Sequence, residues 1–205
     1  MRRIHILFTL LLCCAVTAFA DKTSDQLLKS LVTEFRSAKS LQMAVRITNL
    51  QGSASGTITI QSNKFYFNTT VLRSWFDGKT QWSYVPETKE VNITTPEAQD
   101  LTTSNPYSFV SNYSSMYNST SLKSTDKNTS VVKLTPKKKG GDIREMVVSI
   151  NKLTRMISKI VIVDANGMSS TIAISDCKKG VTYPASTFTF TRNLVPKGTK
   201  IVDLR

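Results

Sequence analysis

The sequence is short of the side chains that do most covalent chemistry. Its 205 residues hold 3 Cys, 1 His and 14 Asp plus Glu, against 27 Lys plus Arg. Cys13, Cys14 and His5 all fall within the first twenty residues, so the remainder carries one cysteine, Cys177, and no histidine. Ser-His-Asp and Cys-His nucleophile systems are thereby excluded from residues 21–205. His-containing zinc sites, cysteine clusters and a disulfide framework go with them. Paired-carboxylate chemistry survives in principle, but the acidic residues are few and scattered, and Asp77 sits in a turn. No enzyme is expected. A chain of this length is expected to form one domain.

The one long apolar run lies at the N-terminus. Arg2 and Arg3 precede Ile6 to Val16, and Ala18-Phe19-Ala20 comes next as an A-x-A cleavage signature. These are the parts of a secretory signal peptide, and the run is shorter than the ~20 residues a membrane span needs. Leu11-Leu12-Cys13-Cys14 mimics a lipobox loosely, without the small residues that should precede the cysteine. Residues 1–20 are therefore expected to be removed, leaving 21–205 as a single exported, soluble, monomeric domain. Loss of Arg2 and Arg3 takes the net charge from +13 to +11.

Beyond residue 20 the apolar residues recur with two different periods. Leu27, Leu28, Leu31, Val32, Phe35 and Ala38 recur at helical spacing, and Thr23 with Gln26 fits a capping box, predicting a helix over 23–39. The period then becomes two. Met43, Val45 and Ile47 alternate with polar residues, as do Ile58 and Ile60, Phe65 and Phe67, Trp82 and Tyr84, and Val91 and Ile93. Asn105-Pro106 starts a second, aromatic-rich helix over 106–117. Strands resume at 131–135, 146–151, 156–164 and 169–176, and a last one holds Phe188 and Phe190. About ten antiparallel strands with one apolar face must roll up or be covered. The expected fold class is mainly β (α+β), a curved antiparallel sheet or incomplete barrel, with helices over its concave hydrophobic face. Met43, Val45, Ile58, Ile60, Phe65, Phe67, Trp82, Tyr84, Val91 and Ile93 are expected to line that face. Periodicity alone leaves two options open: a filled core, or a partly hollow one that takes an apolar ligand.

One stretch is more specific. Trp75-Phe76-Asp77-Gly78-Lys79-Thr80-Gln81-Trp82-Ser83-Tyr84-Val85-Pro86 resembles the D-G-K-x-x-W-x-Y-x-P segment of the periplasmic outer-membrane lipoprotein carrier family (LolA). Asn105-Pro106-Tyr107-Ser108-Phe109 is similar to that family's lid segment, and Leu134-Thr135-Pro136-Lys137 to its L-x-P-K turn. Phe188-Thr189-Phe190, Pro196-Lys197-Gly198 and Val202-Asp203-Leu204-Arg205 resemble its C-terminal pattern. The resemblance covers nearly all of residues 21–205.

It implies an incomplete barrel with a helical lid, here Pro106, Tyr107, Phe109, Val110 and Tyr113, over a lipid-binding cavity. It also implies a periplasmic carrier of acylated lipoproteins from an inner-membrane lipoprotein-releasing ABC transporter to an outer-membrane acceptor, with no cofactor or metal. One departure stands out. Where the family has an Arg-Pro pair whose Arg latches the lid, this chain has Ser62-Asn63 and then Lys64, so no such latch carries over. With the sequence stopping at Arg205, soon after Phe190, the extended C-terminal strand of some members is expected to be absent.

Other readings remain at this level. A lipid-sensing regulator of the same fold is one, and an outer-membrane-anchored acceptor lipoprotein is another. Sequons at Asn68, Asn92, Asn112, Asn118 and Asn128 fit a glycoprotein, but also arise by chance in so Ser-, Thr- and Asn-rich a chain. Nucleic acid is not an expected partner, because the lysines are dispersed and the leader directs export. Lys137–Lys139 and Lys178-Lys179 suit solvent, anionic headgroups or an acidic partner.

Overall fold

The structure, a computed structural model, describes residues 22–97 and 106–205. The expected leader, residues 1–20, lies outside the described residues. Helix α1, Lys22–Ser37, carries Asp25 in its first turn and Arg36 in its last, each complementing the helix dipole. A first meander comes next: β1 Ser40–Asn49, β2 Gly52–Gln61, β3 Lys64–Thr69, β4 Arg73–Phe76, β5 Gln81–Val85 and β6 Glu90–Thr94. Helix α2, Pro106–Met116, runs directly into the second meander. That meander comprises β7 Tyr117–Leu122, β8 Thr129–Pro136, β9 Ile143–Asn151, β10 Met156–Asp164 and β11 Ser169–Lys179. Two short 3-10 turns, Ala185–Phe188 and Arg192–Leu194, lead to β12, Lys200–Asp203.

All twelve strands form one curved, unclosed sheet in the order β12-β6-β5-β4-β3-β2-β1-β11-β10-β9-β8-β7. Every neighbouring pair is antiparallel except β12 with β6. The curved, mainly antiparallel sheet with helical cover is the expected class. Strand inventory differs in three places. β4 and β7 are additional, the one because only four residues pair, the other because Tyr-Asn-Ser-Thr-Ser-Leu reads as polar loop. Phe188 and Phe190 do not form a strand: Phe188 closes a 3-10 turn after Pro184, and the C-terminal strand is instead β12.

The helical spacing of α1 now has a purpose. Leu28, Leu31 and Phe35, with Ala38 just beyond, bury one apolar stripe against Leu41, Ile150 and Ile157 on the inner face of the sheet. Its first turn is held by hydroxyls. The Ser119 hydroxyl of β7 donates to Asp25 Oδ1 at 3.1 Å, which leaves buried Ser24 to donate to Ser119 Oγ at 2.9 Å. Its last turns are held by charge: Glu34 meets Lys179 of β11 at 3.0 Å and Arg155, in the β9–β10 turn, at 3.4 Å.

Gly56 sets how closely β2 and β3 approach. A Cβ there would lie 1.9 Å from the Asn68 carbonyl oxygen and 2.7 Å from Thr69 Cα, both backbone atoms with no freedom to yield. Gly56→Ala should therefore destabilise the fold by about 1–3 kcal/mol in denaturant titration, and an unchanged midpoint would contradict the close approach. The Glu34 carboxyl is held below its ordinary value, first by the hydrogen bond from Lys179 and then by that residue's charge. Its contribution is present at neutral pH and is lost as pH falls through the acid range. Glu34→Gln should lower the melting temperature at pH 7 and make no difference once wild-type Glu34 is protonated.

Candidate functional site

Between the inner face of the sheet and the two helices lies an apolar cavity of about 320 Å³. One wall comes from the first meander: Met43, Val45, Ile47, Ile58, Phe65 and Phe67. The facing wall is rich in isoleucine, with Ile157, Ile160 and Ile162 from β10 and Ile172 and Ile174 from β11. Phe35 of α1 and Phe109 of α2 close it from the helical side, together with Tyr117 at the start of β7. Phe109 and Tyr117 pack edge to face at 5.8 Å.

One part of the wall is polar. Gln81 Nε2 donates to Ser74 Oγ at 3.1 Å and to Ser83 Oγ at 3.3 Å, and the two serine hydroxyls lie 3.2 Å apart. An apolar chamber with a small polar cluster on one side suits a ligand with a long apolar body and a polar end.

The lid residues fall into two groups. Tyr113 is buried in the main core and Phe109 lines the cavity. Pro106, Tyr107 and Val110 belong to α2 by their backbone, while their side chains lie outside the described residues. Burial pushes the Tyr113 and Tyr117 hydroxyls up from their ordinary value, with the nearby Asp25 charge adding to the effect at Tyr113. Both therefore stay neutral at physiological pH. The C-terminus of α2 is pinned by Lys137, whose backbone N–H donates to Met116 O at 2.8 Å and whose Nζ donates to Ser114 O at 2.7 Å. The L-x-P-K turn thus holds the lid by its peptide carbonyls. Ser62, where the family pattern has its Arg, has a positive φ of 55° in the exposed β2–β3 turn. Lys64 pairs with Gln61 beside that turn, and Arg46 points outward, exposed.

The ten residues expected on one face divide three ways. Met43, Val45, Ile58, Phe65 and Phe67 line the cavity. Ile60 is buried nearby but borders a separate cleft of about 420 Å³ at the far end of α1. Trp82, Tyr84, Val91 and Ile93 lie on the opposite face of the sheet. The register explains the flip. Phe65 pairs with Phe76, which pairs with Gln81, so inner-facing Phe65 carries Gln81 inward. Tyr66, Trp75, Trp82 and Ile93 form the corresponding outward row. There Trp75, Tyr84 and Val91 are buried under the C-terminal segment by Val195 and Phe190, the latter 5.5 Å from Trp75. Arg73 stacks over the Tyr84 ring at 4.7 Å and donates to Leu194 O at 2.8 Å, fastening that segment down.

The isoleucine wall was not anticipated as lining. Its signal is present in the alternation of Ile160 with Ile162 and of Ile172 with Ile174. It is obscured in β10 by a register shift between Ile157 and Lys159. Cys177 is a free, half-buried thiol pushed up from its ordinary value by burial, against an opposing effect of Lys179. Among the described residues no three His, Cys, Asp or Glu side chains gather as a metal site would require, and no helix is long and apolar enough to cross a membrane.

An unclosed sheet wrapped around an apolar chamber, under a short helix, defines a binding protein for apolar ligands. The family comparison agrees: the model described as "Outer membrane lipoprotein carrier protein LolA" matches residues 17–167. The chain belongs to this family, whose members are carriers or binding proteins. No curated protein matches. Among solved structures, an uncharacterized conserved protein from Thermus thermophilus shares the fold with a TM-score of 0.57 at 12% identity, covering 89% of this chain and 99% of its own. A LolA superfamily protein from Nitrosomonas europaea matches with a TM-score of 0.41 at 15% identity, over 82% and 97%. Mycobacterium tuberculosis lipoprotein LppX gives 0.43 at 15%, over 77% and 98%.

The two faces make opposite predictions for an apolar fluorescent probe. Ile172→Trp fills the chamber and should weaken probe uptake roughly tenfold or more, since one large side chain takes space the probe would bury. Trp82→Ala should lower stability and leave uptake unchanged. Equal losses from both substitutions would mean that the probe binds elsewhere.

Proposed function

We propose that this protein is a periplasmic carrier that takes the acyl chains of lipoproteins into its cavity and moves them from the inner to the outer membrane. An inner-membrane ABC transporter would supply the cargo and an outer-membrane acceptor would receive it. The supporting observation is the chamber itself: apolar on both walls, polar at one cluster, and covered by a helix whose C-terminus is fixed mainly through backbone carbonyls.

The energetics favour a carrier of this kind. A triacylated anchor has about 45 methylenes, and at ~0.8 kcal/mol each their exposure to water costs on the order of 35 kcal/mol. Such cargo needs continuous shielding. The cavity has only to match the membrane approximately, so that loading and unloading both proceed, and aliphatic and aromatic side chains do this by solvation without any catalytic group. At about 320 Å³ the chamber sits at the lower end for ligand pockets. A three-chain anchor therefore requires α2 to swing away. Displacing α2 exposes Phe109 and Tyr113 and breaks the Lys137 contacts, while the strands beneath keep their ladders.

The test is native mass spectrometry with lipid extraction on protein recovered from its own periplasm. Acylated protein or lipid should co-purify in about one-to-one ratio, and Lys137→Ala should speed the exchange of that cargo by loosening α2. A consistently empty protein, with no uptake of diacylated or triacylated peptide, would overturn the carrier reading.

A further inference from the structure

The two ends of the sheet differ in what they offer, and one of them is the mouth of the cavity. Ile47, Leu72, Ile143, Ile162 and Ile172 line the chamber toward the end where β1 turns into β2, and all five are only half-buried. Toward the opposite end the chamber is stopped by Leu31 and Phe35 of α1 and by Ala38 just beyond it, against Leu41 and Ile157, all buried. Among the described residues, the chamber opens toward the β1–β2 end.

Three hairpin tips adjacent in the sheet stand at that end: β3–β4, β1–β2 and β10–β11. Each raises one large apolar side chain into solvent. Val71 is 60% exposed, Leu50 85% and Met168 53%. The next tip along, β8–β9, carries Lys137, Lys138, Lys139 and, at its far side, Arg144. The tips are joined: Ala165 N–H of the β10–β11 tip donates to the Asp142 carbonyl of the β8–β9 tip at 2.9 Å. The rim also holds acids. Asp142 is exposed, Glu87 lies in the β5–β6 turn, and Asp164 accepts the backbone N–H groups of Asn166 at 2.9 Å and Met168 at 2.8 Å. Cations outnumber them, with Lys89 adding a further one.

Apolar residues at separate rigid tips, flanked by cations around an apolar opening, match an anionic bilayer surface better than a folded protein. We infer that this rim docks on anionic phospholipid bilayers, Leu50, Val71 and Met168 entering the interface while Lys138, Lys139 and Arg144 meet lipid phosphates. Docked this way, the mouth faces the acyl region and a chain passes between bilayer and chamber without crossing water. The docking deepens the carrier reading, and each can fail alone. Each cation brought to such a surface tightens binding about fivefold, and salt weakens that part.

The experiment is flotation of the periplasmic form with vesicles of phosphatidylcholine containing 30% phosphatidylglycerol, beside vesicles of phosphatidylcholine alone, with uptake of a fluorescent fatty acid measured in parallel. The wild-type protein should float with the anionic vesicles and release in 1 M salt. The triple change Leu50→Ser, Val71→Ser, Met168→Ser should cut vesicle binding at least tenfold, as should Lys138→Glu with Lys139→Glu, with fatty-acid uptake and melting temperature unchanged. Leu153→Ser, at a 79% exposed position on the opposite end, should leave flotation intact. Absence of wild-type flotation, or flotation indifferent to the tip changes, would overturn the docking while leaving uptake to judge the carrier. If the tip changes abolish self-association in sedimentation rather than vesicle binding, the rim is a contact between copies and the docking is wrong.

Discussion

The pairing of β1 with β11 holds the molecule together. β1 is the first strand in the chain and sits in the middle of the sheet, between β2 and β11. Without its ladder to β11 there would be two separate meanders, β1 to β6 and β7 to β11, each with one apolar face open to water. With it, the isoleucines of β10 and β11 are set opposite the aromatic and aliphatic residues of β1 to β3, and the chamber exists between them. Ile47 pairs with Ile172 and Val45 with Ile174, so the seam is itself part of the lining. Over 120 residues separate these partners in sequence. Closure of so long a loop delays the contacts that reward it, and the inner face stays exposed until the second meander is complete.

The chamber owes its space to a mismatch in cover between the two helices. α1 fills one half of the inner face with a leucine and phenylalanine stripe of four turns. α2 has three turns and alternates its aromatic residues with serines. A filled core would need a second helix as apolar as the first. Polar groups are treated in the same divided way. Ser24, Ser119 and Asp25 satisfy one another and pin α1, whereas Gln81, Ser74 and Ser83 satisfy one another at the cavity wall. The first cluster fixes a helix, and the second gives an apolar chamber a polar side.

Much of this was legible in the sequence, and the rest was hidden for identifiable reasons. α1 announced itself because its buried stripe keeps helical spacing over four turns. The strands of the first meander other than β4 did so through alternation of apolar with polar residues. β4 did not, because Ser74, Trp75 and Phe76 are all buried, and a strand covered on both faces has no period to read. β7 did not, because its inward Ser119 is satisfied by another hydroxyl and by a carboxylate rather than by apolar packing. Alternation in β5 and β6 showed correctly that Trp82, Tyr84, Val91 and Ile93 share a face. Which face depends on pairing register with β3 and β4, and on a cover for the outer side that only the folded C-terminal segment supplies. The family motifs pointed to the right layout because the D-G-K turn and the L-x-P-K turn are local in sequence. The first fixes the β4–β5 hairpin and the second pins the lid.

The C-terminal segment has one more effect. After crossing the outer face it lays Lys200–Asp203 alongside β6 in parallel, with Lys200 paired to Glu90 at 3.2 Å. Without it β6 would end the sheet as a bare edge, five residues of unpaired N–H and C=O groups beside apolar side chains, a template for another chain's strand. The tail occupies that template with a short, charged strand of its own. One margin of the sheet is thus guarded against strand addition by residues 200–203.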